Sequence, residues 1–177
     1  NPNLRSNEAI AWFKDQASKI RTINTQKVLA NSKDNARTTI KIGQMYMFAY
    51  DAKHKDTLPY FDRFPLIFPF KHYNKGFYGI NLHYLPLPLR AKLFDRLFDL
   101  VNNTKFDETT RLKLTYNLLN SSSRFKYFKP CVKHYLNDHV RSTFRKIDAN
   151  DWTTAMLLPV EQFVGANKAR VWKDSLG

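Results

Sequence analysis

The sequence predicts an α+β fold: a small aromatic-rich antiparallel sheet, or an SH3-like barrel, flanked by several helices. Three observations carry that expectation. Short β-rich runs follow one another between Gly43 and Tyr84, with polar connections and prolines at positions 59, 65 and 69. A leucine stripe at helical spacing comes after them, through Leu89, Leu93, Leu97 and Leu100. An amphipathic segment comes before them, with Ala9, Trp12, Phe13, Ala17 and Ile20 three and four residues apart. The period of the apolar positions reports which face of a strand or helix is buried.

Taken in order, the first helix runs from Ser6 to about Ile20, with Ser6 as its cap and Glu8 in its first turn. From Arg21 to Ile42 the apolar content falls and Asn, Thr, Ser, Lys and Arg take over, which reads as a basic arm crossing the surface. Residues 1–42 thus form an amino-terminal helix and arm, and residues 43–177 a single globular α+β domain. Its sheet, over 43–86, takes strands from Met45 to Tyr50, Leu66 to Phe70 and Gly76 to Tyr84, the last including His83. Prolines suit strand starts and edges because they cannot donate to a ladder.

Pro86 and Pro88 end the sheet, and Pro88 opens the leucine-striped helix, which Phe94 and Val101 join. Arg90, Lys92, Asp95, Arg96 and Asp99 fall on its other sides. Asp107 caps a second helix through Leu112, Tyr116 and Leu119, broken by the serines at 121–123. Pro130 starts a third, through Val132, Tyr135, Leu136 and Val140. A short strand over 142–147 precedes an apolar stretch from Trp152 to Leu158, capped by Asn150 or Asp151. Helices therefore dominate 87–165, and 166–177 is a basic tail around Trp172.

Composition bounds the chemistry. With 43% hydrophobic and 15% aromatic residues, 177 residues can bury one cooperative core. Cys131 is the single cysteine, so an intrachain disulfide is excluded and a reducing compartment fits. No apolar run approaches the ~20 residues needed to span a bilayer, and no membrane partner is expected. The histidines at 54, 72, 83, 134 and 139 have no known ligand spacing, so no metal is expected. Asp51, Asp56 and Asp62 are the carboxylates a metal-dependent nuclease would need, but with Lys53 and Lys55 between them they read as a solvated turn. Gly-rich phosphate loops and Gly-x-Ser-x-Gly elbows are missing, and Cys131 beside Lys133 and His134 has no helper fixed by sequence. The expectation is a protein that is not an enzyme and uses no cofactor.

Charge points to a partner. Lys and Arg number 29 against 15 Asp and Glu, a formal +14 that concentrates polyanions near the surface. The cations fall into two stretches. Lys14, Lys19, Arg21, Lys27, Lys33, Arg37 and Lys41 are opposed mainly by Asp15 and Asp34. Arg124, Lys126, Lys129, Lys133, Arg141, Arg145 and Lys146 are opposed almost solely by Asp138. Ordinary solvated faces mix signs. The rings interleaved with the second stretch, Phe125, Tyr127, Phe128, Tyr135 and Phe144, are read as core, which leaves phosphates and not bases as what the cations meet. About six such contacts give a log-log salt slope near −5 on duplex DNA. Without a recognition helix or zinc finger, binding to double-stranded DNA is expected to ignore sequence.

The string texture also resembles a known family. Ala11-Trp12-Phe13 stands in the opening helix, followed by the run from Gly43 to Asp51, Leu58-Pro59-Tyr60-Phe61-Asp62-Arg63-Phe64-Pro65-Leu66, the run from Gly76 to Pro86, and Val171-Trp172-Lys173-Asp174-Ser175 near the end. In these the chain resembles the DNA end protector proteins of large contractile-tailed, T4-like bacteriophages, over most of its length. The resemblance implies a virion protein, present in the host cytoplasm during infection, that caps linear DNA ends against a RecBCD-type host nuclease. It carries no catalytic residue over, and it admits other virion subunits as partners. A structural protein of a phage neck, tail or baseplate is the competing reading, supported by the aromatic, proline-rich stretch from Leu58 to Tyr84 as apolar surface for another subunit.

Overall fold

The computed structural model describes residues 29, 36–93, 105, 107–122, 128–148 and 151–176. The expected helix over 6–20, the arm up to 35 apart from Leu29, and the stripe beyond Leu93 lie outside the described residues. Eight strands are described: β1 (Ala36–Arg37), β2 (Met45–Met47), β3 (Phe61–Asp62), β4 (Leu66–Tyr73), β5 (Gly76–Asn81), β6 (Val132–Leu136), β7 (Phe144–Ile147) and β8 (Phe163–Val164). Six of them form one antiparallel sheet in the order β1-β7-β2-β4-β5-β6, and β3 pairs with β8 apart from it. Among the described strands the large sheet ends on β1 and β6 and does not close on itself, so the α+β expectation holds and its barrel alternative does not.

The three expected strands are present with shifted ends. Pro69 sits inside β4 opposite Gly79, and the register slips between Pro69 and Lys71. A residue without an N–H cannot complete the ladder there, so the strand bulges. Beyond Asn81 the chain leaves the sheet in a 3-10 turn over Leu82–Tyr84, where the His83 N–H donates to Asn81 Oδ1 at 3.0 Å. His83 is therefore a turn residue, not a strand residue.

The helix expected from Pro130 is a strand. Pro130 starts only one 3-10 turn, Lys129–Cys131, and the next five residues pair with β5 in the register Ile80↔Val132 to Gly76↔Leu136. The helical look of Val132, Tyr135, Leu136 and Val140 is a coincidence of spacing: Val132 and Tyr135 pack on opposite sides of the sheet, as strand residues an odd number of positions apart do. Val140 follows a further 3-10 turn, Asn137–His139. The strand expected over 142–147 is β7.

Three further helices are described. Glu108–Ser122 begins as expected, with the Thr110 N–H donating to Asp107 Oδ1 at 2.7 Å. Trp152–Leu157 follows Asp151, whose side chain makes no capping bond. The supposed basic tail is a third helix, Lys168–Leu176, capped where the Arg170 N–H donates to Asn167 Oδ1 at 2.9 Å. It forms because Val171 and Ser175, four residues apart, turn one buried face to the core.

Each face of the sheet carries a buried apolar cluster. Met45, Met47, Leu66, Phe68, Ile80 and Ile147 face a layer containing Leu89, Leu93, Leu119, Trp152 and Met156. Trp152 packs edge-on to Phe68 at 5.0 Å and donates its Nε1–H to the Ile147 carbonyl at 2.9 Å. The alternate residues Tyr46, Phe48, Ile67, Phe77, Tyr135 and Phe144 form a second cluster with Ile40 and Tyr50. Phe48 lies at its centre, edge-on to Tyr135 at 5.3 Å and to Phe144 at 5.2 Å. Such pairs add about 0.5–1.5 kcal/mol each beyond area burial. The rings of the second basic stretch that are described, Phe128, Tyr135 and Phe144, are all buried, as expected.

Candidate nucleic-acid interface

Strand pairing brings Arg37, near the end of the first basic stretch, beside the end of the second. β1 lies antiparallel on β7 with Arg37 opposite Phe144 and Ala36 opposite Arg145, across more than a hundred residues of sequence. On the other side of β7, Lys146 lies opposite Tyr46. The Lys41 N–H donates to the Tyr46 hydroxyl at 2.8 Å. Burial raises the Tyr46 phenol above its ordinary value, and the Lys41 amide and the Arg37 charge partly offset it. Tyr46 of β2 thus relates to three cationic residues: Lys41 through its amide, Arg37 through its charge and Lys146 through strand register.

A groove of about 760 Å³ opens beside them, over the aromatic face. Ile40, Phe77 and Phe144 form its apolar part, Arg37 and Arg141 its cationic part, and Thr38, Thr39, His72 and Thr143 offer polar groups. Among the described residues that line it, none is acidic. The far wall is the segment 137–143, which crosses the sheet face and is pinned by backbone bonds: the Arg141 N–H donates to the Ala49 carbonyl at 2.8 Å and the Asp51 N–H to the His139 carbonyl at 3.0 Å. Ser142 adds a side-chain clamp, accepting the Ala49 N–H at 2.8 Å. Arg141 donates to the Asp138 carbonyl at 2.6 Å and stands 3.9 Å from Asp51, a carboxylate it shares with Lys55. One exposed carboxylate divided between two cations leaves a positive rim.

Other expected contacts sit elsewhere. Arg145 is half-buried with its guanidinium 5.7 Å from the Phe64 ring. Lys129 is exposed ahead of β6, at the edge opposite β1. Lys133 lies on β6 with its ammonium 4.0 Å over the Tyr84 ring, and burial lowers its pKa. Lys14, Lys19, Arg21, Lys27, Lys33, Arg124 and Lys126 lie outside the described residues. Arg90, read as a surface residue of the leucine-striped helix, is buried. It donates to the carbonyls of Leu85 at 2.7 Å, Met156 at 2.7 Å and His83 at 3.3 Å, and burial brings its pKa down to about 10.

The polar centre that sequence reasoning missed is built on Asp62. Its carboxylate is 3% exposed. Oδ2 accepts from the His83 ring at 2.6 Å and from Asn81 Nδ2 at 3.0 Å, while Oδ1 accepts the N–H groups of Phe64 at 3.0 Å and Gln162 at 3.2 Å. Burial acts to raise its pKa, but the His83 ring, the Asn81 amide and the Phe64 N–H outweigh it and hold the carboxyl below its ordinary value. Asp62 therefore ties β3 to β5 and to the segment before β8. Asp51 stands apart at the surface and Asp56 is exposed, so the three aspartates do not converge; no group of three or more His, Cys, Asp or Glu that could hold a metal occurs among the described residues. Burial pushes the Cys131 thiol up to about 12, which suits packing better than nucleophilic attack. No described helix is long and apolar enough to cross a membrane.

Fold and surface together define an α+β protein with an antiparallel sheet that is open among the described strands and a cationic groove along one side of it whose described lining holds no carboxylate. Residues 2–175 match the family described as phage T4 terminal DNA protecting protein, and the chain belongs to that family. Comparison with curated proteins and with solved structures gave no significant match.

Proposed function

We propose that the protein binds double-stranded DNA without reading its sequence, at the ends of the phage genome, and shields those ends from a host exonuclease. The observation that carries this is the β1–β7 pairing, which draws Arg37 and Arg141 to one groove whose described lining has no carboxylate. A phosphate backbone is the polyanion such a groove suits, because spaced cations with hydroxyl and ring neighbours neutralise phosphates and release their counterions. The protein remains with packaged DNA in the virion and reaches the host cytoplasm with it.

The alternative of a neck, tail or baseplate protein has less support. Most of the aromatic stretch from Leu58 to Tyr84 is spent inside the protein, and Leu58, at 43% exposure, is the one large hydrophobic within it that stands well exposed. A nuclease challenge tests the proposal. Blunt linear DNA incubated with the protein and then with an end-resecting exonuclease is expected to survive, with protection saturating near the number of ends. Digestion at the rate of naked DNA, with the protein instead fractionating into DNA-free tails, would overturn it.

A further inference from the structure

A second cavity, of about 430 Å³, lies on the other side of the Tyr50–Val140 bridge: Val140 lines the groove and Tyr50 lines this pocket. It is of small-molecule size. Its walls include the rings of Tyr60 and Tyr84, which lean together at 6.2 Å and 34°, with Tyr135 beyond them. Lys133 lines it with its ammonium over Tyr84, and no hydrogen bond or ion pair holds that ammonium among the described residues. The acidic residue of the lining, Asp62, has both oxygens committed to four donors. Lys53, exposed, adds a second cation to the lining, and the exposed His54 ring lies beside it.

A part-buried cation without a counter-ion is costly unless an anion arrives, and ring walls beside it suit a planar aromatic group. Both halves of that description are met by one ligand class, a nucleotide carrying a terminal phosphate. We propose that this pocket receives the last nucleotide of a DNA strand, its terminal phosphate on Lys133 and its base against the half-buried Tyr60 ring. The groove would then hold the duplex, and the pocket would sense that the strand stops. This rests on the end-binding reading above, which supplies the DNA end.

The test uses the full chain and measures binding of short blunt duplexes bearing a 5′-phosphate, a 3′-phosphate or only hydroxyls, with closed circular DNA and a free deoxynucleoside monophosphate as further probes. One phosphorylated end is expected to bind roughly tenfold tighter than the hydroxyl end, an effect of the size of one charge-assisted contact. Lys133→Gln removes that preference and leaves binding to circular DNA unchanged, while Lys133→Arg keeps it. Lys53→Gln, an exposed change that spares the interior, weakens the preference if Lys133→Gln does not fold. Tight binding to linear DNA that ignores the terminal phosphate overturns the pocket alone. Equal binding to linear and circular DNA overturns the end-binding reading and the pocket with it. Monophosphate binding that depends on Lys133, without any preference among DNA ends, assigns the pocket to free nucleotides and overturns its role at an end.

Discussion

Asp62→Ala is expected to destabilise the protein by about 3–5 kcal/mol, the usual cost of removing one partner from a buried charged network. The loss is large because it orphans the His83 ring, the Asn81 amide and the N–H groups of Phe64 and Gln162 at once. It also loosens elements far apart in sequence. His83 presents its carbonyl to Trp172 Nε1–H at 2.8 Å and to Arg90, so the Asp62 network continues into helix 168–176 and the leucine-striped segment. Urea unfolding followed by tryptophan fluorescence measures the effect.

The same residue sets an acid limb. Because the folded carboxyl is held below its ordinary value, its contribution is complete above the unfolded pKa and is lost as pH falls through the lower folded one. Stability of the wild type should therefore decline below about pH 4 more steeply than that of Asp62→Ala. A wild type and variant with parallel pH profiles would show that folding does not lower the Asp62 pKa.

The second large effect concerns binding. Arg37, Lys41 and Arg141 are exposed and lie beside or within the groove, and replacing all three by alanine leaves the core rings in place. The triple variant is expected to bind duplex DNA on the order of a hundredfold more weakly at moderate salt, with the log-log salt slope shallower by about 2.7. Loss of affinity should be uniform across sequences, since phosphate contacts carry no base information. Replacing Lys129, at the opposite sheet edge, serves as the control and should change little. Fluorescence anisotropy over a salt series measures both quantities.

Much of the fold was legible because it is written locally. β-rich runs from Met45, Leu66 and Gly76 marked strands, and Asp107 marked a helix start, each within a few residues of its own consequence. The burial of Phe128, Tyr135 and Phe144 among cations followed from the same economy of apolar surface. What stayed hidden is non-local. β6 looked helical because a proline and a three-four spacing precede and fill it, and only the unpaired edge of β5 decides otherwise. The Asp62 centre joins positions 62, 64, 81, 83 and 162, and no spacing rule connects them. The candidate site was half visible: the sequence shows two cationic stretches, but their meeting depends on β1 lying against β7. Lys133 counted with the second stretch, whereas its place over Tyr84 separates it from the groove.

The direct test of the central claim is a competition between linear and covalently closed forms of one DNA for the wild-type protein. The linear form is expected to compete at least tenfold better per molecule, with an affinity that does not change as the DNA is lengthened, because the ends are what is bound. Equal competition by the closed circle, with affinity rising in proportion to length, would show a protein that coats duplex DNA and does not cap it.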